Sequence, residues 1–159
     1  MAEHLEISHG DKNAKYELLL RQVEAMADGE TDLIALMANV ASMIHHTFGF
    51  LWTGFYRVQG NMLVLGPFQG PLACTRIPYG RGVCGSAWAE DKTLIVPDVE
   101  AFPGHIACSS QSRSEIVVPL KHNDSVIAVL DIDSADLSTF DDTDALWLER
   151  IAEVVASME

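Results

Sequence analysis

The chain has 159 residues, the length of one domain, and at this size folding hides roughly 68–70% of the extended chain's surface, so neither a disulfide nor a structural metal is required to hold a core. Ten Lys and Arg against 23 Asp and Glu leave a net charge of −13, which repels nucleic-acid phosphates and anionic lipid surfaces and excludes both as partners. The first eleven residues lack a basic start and an apolar stretch of a secretory leader, so the expectation is a cytoplasmic protein, residues 1–159 forming a single domain with 1–11 a flexible N-terminal extension.

From Lys12 to Ala27 the apolar residues Tyr16, Leu19, Leu20, Val23 and Met26 recur at helical spacing, and Asp28-Gly29 ends the helix. Thr31 or Asp32 can cap a second helix whose stripe is Leu33, Leu36, Met37, Val40 and Ile44. The apolar stretch Leu33 to Phe55 is broken by Asn39, Ser42, His45 and His46 and is too polar to span a bilayer. Residues 50–68 read as a hairpin turning at Gln59-Gly60-Asn61, and a third extended piece is expected near Ala73 to Ile77. A glycine-rich turn, Gly80 to Gly85, leads into a short helix through Trp88, and Leu94 to Val96 is a strand. Residues 97–113, with two prolines and many polar side chains, form a long loop with one short helical turn, and loops of this length usually carry function. Glu115 to Leu120 and Ser125 to Asp133 pair across His122-Asn123-Asp124, and Asp141 caps a final helix with Leu148, Ile151, Val155 and Met158 on one face. The order ααβββ(α)βββα predicts an α+β domain, an antiparallel sheet covered on one side by the terminal helices.

Gly80-Arg81-Gly82-Val83-Cys84-Gly85 fits the dinucleotide pattern G-x-G-x-x-G, with Asp98 at about the spacing of a ribose-binding acid. That reading needs a buried parallel strand directly before the glycines; Pro78 and Tyr79 intervene and the hairpins are antiparallel, so the segment is read as a turn entering a helix. There is no C-x-x-C, and His45 and His46 are neighbours that a helix turns about 100° apart. His105-x-x-Cys108 is the only suggestive metal pair, and no metal or cofactor is expected.

Three cysteines, Cys74, Cys84 and Cys108, are an odd number in a reducing compartment, which argues against a static disulfide framework. Free cysteines are usually buried apolar groups, but Cys108 lies in a polar loop beside Arg113 and several hydroxyls, where a thiol is accessible and reactive. Asp131 and Asp133 end an apolar strand, and the period of two puts both on the face shared with Ile127 and Val129. Such a pair is as often simply solvated, or a cap for the Ser134 to Leu137 turn; if half buried with Glu115 from the neighbouring strand, the acids repel one another and at least one keeps its proton above the usual carboxylate range, making an acid donor or an ammonium site. Trp52 and Tyr56 face the same side of the first strand, and Gly54 between them leaves room for a ligand, although ordinary aromatic core explains the pair equally well.

Trp52-Thr53-Gly54-Phe55-Tyr56, Gly66 to Gly70, Gly80 to Gly85, Cys108 to Glu115 and Leu130-Asp131-Ile132-Asp133 together resemble the free methionine-(R)-sulfoxide reductases, stand-alone GAF domains, over about residues 14 to 157. None of these positions departs from the family's pattern. The resemblance implies a central antiparallel sheet of about six strands with the N- and C-terminal helices packed on one face. It implies Cys108 as the catalytic thiol, Cys84 as its disulfide partner and Cys74 as an auxiliary thiol, with Glu115, Asp131 and Asp133 holding the substrate and Trp52 and Tyr56 walling its methyl sulfoxide end. It also implies a thioredoxin-type reductant and a homodimer. A sulfoxide sulfur is electrophilic only as its oxygen is protonated, so the reaction needs a thiolate and a general acid in one pocket. The alternative is a non-catalytic GAF domain that senses a small molecule or oxidant, in which the acid cluster has no evident role.

Overall fold

The computed structural model describes residues 4–158. Two helices, α1 (Lys12–Ala27) and α2 (Leu33–Phe48), open the fold, and each starts on an aspartate: Asp11 accepts from the Ala14 N–H and Asp32 from the Ala35 N–H. These caps satisfy donors that a helix start leaves free. Gly49, at φ 69°, ends α2 in the left-handed region and turns the chain into the sheet. There follow β1 (Trp52–Gln59), β2 (Met62–Gln69), β3 (Arg76–Pro78), α3 (Gly82–Glu90), β4 (Leu94–Val96), a 3-10 turn (Val99–Ala101), β5 (Ser114–His122), β6 (Ser125–Ser134) and α4 (Asp142–Ala156). Element order and fold class match the expectation from sequence.

The six strands form one antiparallel sheet in the order β3-β2-β1-β6-β5-β4. β6 lies between β1 and β5, so the two hairpins are joined by a non-local ladder in which Gly54 faces Asp131 and Trp52 faces Asp133. Alternation then sorts the side chains. Phe55, Ile116, Val118, Leu120, Leu130 and Ile132 point to one face, where α1, α2 and α4 cover them. Trp52, Tyr56, Val117 and Val129 point to the other, against Val83, Cys84 and Ala87 of α3. The terminal helices thus share one face and leave the second to a single short helix and loops. Each large apolar side chain fully buried in these layers contributes about 1.5–3 kcal/mol.

The helical layer contains one polar junction. Asp144, 2% exposed, accepts from the Tyr16 hydroxyl at 2.6 Å and from Lys12 Nζ at 2.7 Å, and closes a capping box with Asp141. It ties α4 to α1 across the whole length of the sequence.

Two expectations need correction. Ile127 packs with the helix-side core, not on the face of Asp131 and Val129. The β1–β6 ladder ends at Arg57↔Ala128 and a bulge falls between Leu120 and Lys121, so strict alternation lapses there. The segment before α1 is held rather than loose where it is described: the Glu6 N–H donates to Gln22 Oε1, Gln22 Nε2 donates to the Glu6 carbonyl, each at 2.8 Å, and Leu5 packs on the core. Residues 1–3 of that expected extension lie outside the described residues. Among the described residues no helix is long and apolar enough to cross a membrane.

Candidate active site

The face that the terminal helices leave open carries a small pocket of about 50 Å³, open to solvent on one side. Its acidic side follows from strand register. Glu115 of β5 faces Asp133 of β6, and Asp131 sits two residues along the same strand, so the period of two aims all three at α3. Gly82, Val83 and Cys84, the first turn of α3, form a second wall, and His105, Ile106 and Cys108 of the long loop form a third. Gly82 has φ +64°, and a Cβ on it would lie 3.1 Å from Ile106, so a glycine lets the loop close against the helix start.

Trp52 and Tyr56 line the pocket and also build its rim. Their rings stack at 5.8 Å, and Trp52 stacks on Phe68 at 5.2 Å. Trp52 Nε1 donates to the Pro71 carbonyl at 3.1 Å and the Tyr56 hydroxyl donates to the Cys74 carbonyl at 2.8 Å. The two aromatics therefore anchor the loop that holds Cys74. The space over Gly54 is not left for a ligand as expected: a Cβ there would lie 2.6 Å from the Trp52 ring and clash with Phe68, so the glycine lets the indole lie across the strand.

Cys74 and Cys108 form a disulfide, with Cα atoms 5.4 Å apart. This corrects the expected pairing, because Cys84 is the free cysteine. The reason is position. Cys84, 4% exposed, lies on the first turn of α3 with its sulfur 4.0 Å from Glu115 Oε2, beneath the acids, whereas the half-buried Cys74 and Cys108 stand on two facing loops. Cys108 is therefore bonded across to the β2–β3 loop.

Burial sets the protonation of the cluster. It pushes the Glu115 carboxyl well above the usual range, and the charges of Asp131 and Asp133 add to the effect. Asp133 is driven up by burial and by Asp131, while the Ser112 hydroxyl, donating to Oδ1 at 2.9 Å, opposes this. Burial also raises Asp131, but hydrogen bonds from Glu115 and Cys84 and the nearby His105 pull it back. Asp131 is thus the member best able to stay ionised, with Glu115 and Asp133 holding protons. Burial, then the charges of Asp131 and Glu115, keep the Cys84 thiol protonated. Such a pocket can protonate one group and bind a cation at another.

Of the residues singled out from sequence, Cys84, Cys108, Glu115, Asp131, Asp133, Trp52 and Tyr56 line this one pocket, and Cys74 joins it through the disulfide. Sequence reasoning missed Ser112, Arg81, His105 and Ile106 as lining residues. A serine in a serine-rich loop has no distinguishing spacing, and His105 was legible only as a weak metal pair with Cys108, whose sulfur is instead bonded to Cys74. Among the described residues, Cys84, Glu115 and Asp131 each bring a sulfur or carboxylate oxygen to within 4.8 Å of the other two.

Comparison with known proteins places this geometry in context. The GAF domain profile matches residues 32–158. GAF domain-containing protein A of Dictyostelium discoideum is 56% identical over 98% of this chain and 99% of its own length. Free methionine-R-sulfoxide reductase of Escherichia coli is 43% identical over 94% of this chain and 89% of its own. The X-ray structure of free methionine-R-sulfoxide reductase from Neisseria meningitidis in complex with its substrate is 52% identical, superposes with a TM-score of 0.96, and covers 99% of this chain and 95% of that one.

Proposed function

This chain belongs to the free methionine-R-sulfoxide reductases of the GAF-domain family, and on that premise we propose that it reduces free L-methionine-(R)-sulfoxide to methionine with Cys108 as the attacking thiol and Cys74 as the thiol that resolves it. The observation that carries this reading is the Cys74–Cys108 disulfide at the mouth of a pocket whose far wall is three carboxyl groups.

In the reduced protein the Cys108 thiolate attacks the sulfoxide sulfur while Glu115 or Asp133, held protonated by burial, delivers a proton to the oxygen. Oxygen passes to Cys108 as a sulfenic acid and methionine leaves. The Cys74 thiol then attacks the sulfenic sulfur, water departs, and the disulfide forms. A thioredoxin-type dithiol resets the pair by exchange at the half-buried sulfurs. Sulfoxide and two reductant thiols enter; methionine, water and the reductant's disulfide leave.

Asp131 Oδ1 is buried and has no hydrogen-bond partner, which suits the ammonium of a free amino acid. A peptide-bound or N-acetylated residue has no ammonium and leaves that oxygen bare, at a cost of about 1–3 kcal/mol, or roughly 5- to 150-fold in kcat/KM. Comparison of free and N-acetylated methionine sulfoxide in a thioredoxin-coupled assay tests this. The free form should win by at least that factor; equal kcat/KM values reject the ammonium assignment.

A further inference from the structure

Cys84 takes no step in the proposed cycle, yet its sulfur is placed among the acids. Cys84 Sγ, one carboxylate oxygen of Glu115 and one of Asp131 all lie within 4.8 Å of one another, and all three residues are buried. Independently, Asp131 is only 6% exposed, lines the pocket, and has an Oδ1 that accepts no hydrogen bond. A buried carboxylate oxygen without a donor marks a place where a cation belongs.

Two kinds of cation fit. One is the substrate's ammonium. The donor set itself, a thiol and two carboxylates, matches the other, a thiophilic divalent ion. Around tetrahedral zinc, bonds of about 2.3 Å to sulfur and about 2.1 Å to oxygen put S and O roughly 3.6 Å apart, close to the 4.0 Å between Cys84 Sγ and Glu115 Oε2. Side-chain torsions can close the remainder, and three protein ligands leave a fourth position for water. Magnesium and calcium, which take oxygen ligands, are disfavoured by the thiolate.

We propose that Cys84, Glu115 and Asp131 form a binding site for zinc-class divalent cations, and that such a cation and the substrate's ammonium exclude one another, making it a competitive inhibitor of the reductase. Binding is not a redox step: one metal–sulfur and two metal–oxygen bonds form, and the thiol proton and any carboxyl protons pass to solvent. Only the identity of the displaced ammonium rests on the proposed function; the ligand set stands on its own geometry.

The disulfide makes the test clean, because in the oxidised protein Cys84 is the sole thiol. Titration of that protein with cobalt(II) should give a thiolate-to-cobalt charge-transfer band saturating at one equivalent. Zinc should displace it and magnesium should not. The band should vanish in Cys84→Ala, with circular dichroism confirming the fold, and cobalt should bind at least tenfold more weakly to Asp131→Asn, which keeps the thiol and the shape. In a Cys74→Ser/Cys108→Ser protein, which leaves bound sulfoxide unreduced, free methionine sulfoxide should displace the band and the N-acetylated form should not. No band in wild type or a band surviving in Cys84→Ala overturns the site, and a band indifferent to free methionine sulfoxide, where the wild type turns that substrate over, overturns the competition. Turnover in chelator-treated buffer is measured separately: turnover without a cobalt band rejects the cation site alone, and a band without turnover rejects the reductase reading alone.

Discussion

In the proposed cycle Cys108 and Cys74 divide the redox chemistry, and a small dithiol can tell their roles apart. Dithiothreitol can reduce a sulfenic acid directly, whereas a protein reductant acts on a disulfide. Cys74→Ser should therefore keep turning over with dithiothreitol and stall after one turnover with thioredoxin; equal loss with both reductants would remove Cys74 from the resolving role. Glu115 carries the next test. Its pKa lies well above the ordinary value of 4.5, because burial and the charges of Asp131 and Asp133 disfavour ionisation. The folded state therefore holds a proton that the unfolded chain gives up near 4.5, and this contribution to stability is lost as pH rises through the raised value. Glu115→Gln should flatten part of that decline, making the variant more stable than wild type at alkaline pH. If Glu115 is the proton donor, kcat should fall about 10²–10⁴-fold. Chemical denaturation across pH, with kcat measured in parallel, checks both; a variant that is less stable than wild type at high pH contradicts the assignment.

Elements were legible where the chain carries local punctuation. The stop at Asp28-Gly29 and the caps Asp32 and Asp141, with the 3.6-residue stripes beside them, gave α1, α2 and α4 their places, whereas the Asp11 cap of α1 was not read from sequence. β3 was less legible: an extended piece was expected from Ala73, but the strand is Arg76–Pro78, because Tyr56 and the disulfide hold Cys74 at the pocket rim. The Tyr16–Asp144 hydrogen bond likewise has no local signal, since 128 residues separate its partners. Tyr16→Phe removes a donor from a buried carboxylate and should cost about 1–3 kcal/mol of stability, with little change in KM because the site lies on the other face of the sheet. A urea midpoint unchanged from wild type would contradict this.

At the scale of the molecule, three helices bury one face of the sheet and the pocket occupies the other. The acids were readable as a group because strand alternation alone puts Asp131 and Asp133 together. The thiols were readable as a set but not as pairs, since which two sulfurs meet depends on how the β2–β3 loop and the 97–113 loop fold over the pocket. Strand order was likewise beyond local signals: insertion of β6 beside β1 brings Trp52 opposite Asp133, uniting aromatic and acidic walls that lie about half the chain apart. The central claim is that this assembly reduces one epimer of the free amino acid through Cys108. Methionine released from racemic free methionine sulfoxide, with dithiothreitol as reductant, tests it most directly. Wild type should convert half of the racemate and stop, and Cys108→Ser should release none; complete conversion, or multiple turnovers by Cys108→Ser, would contradict the account.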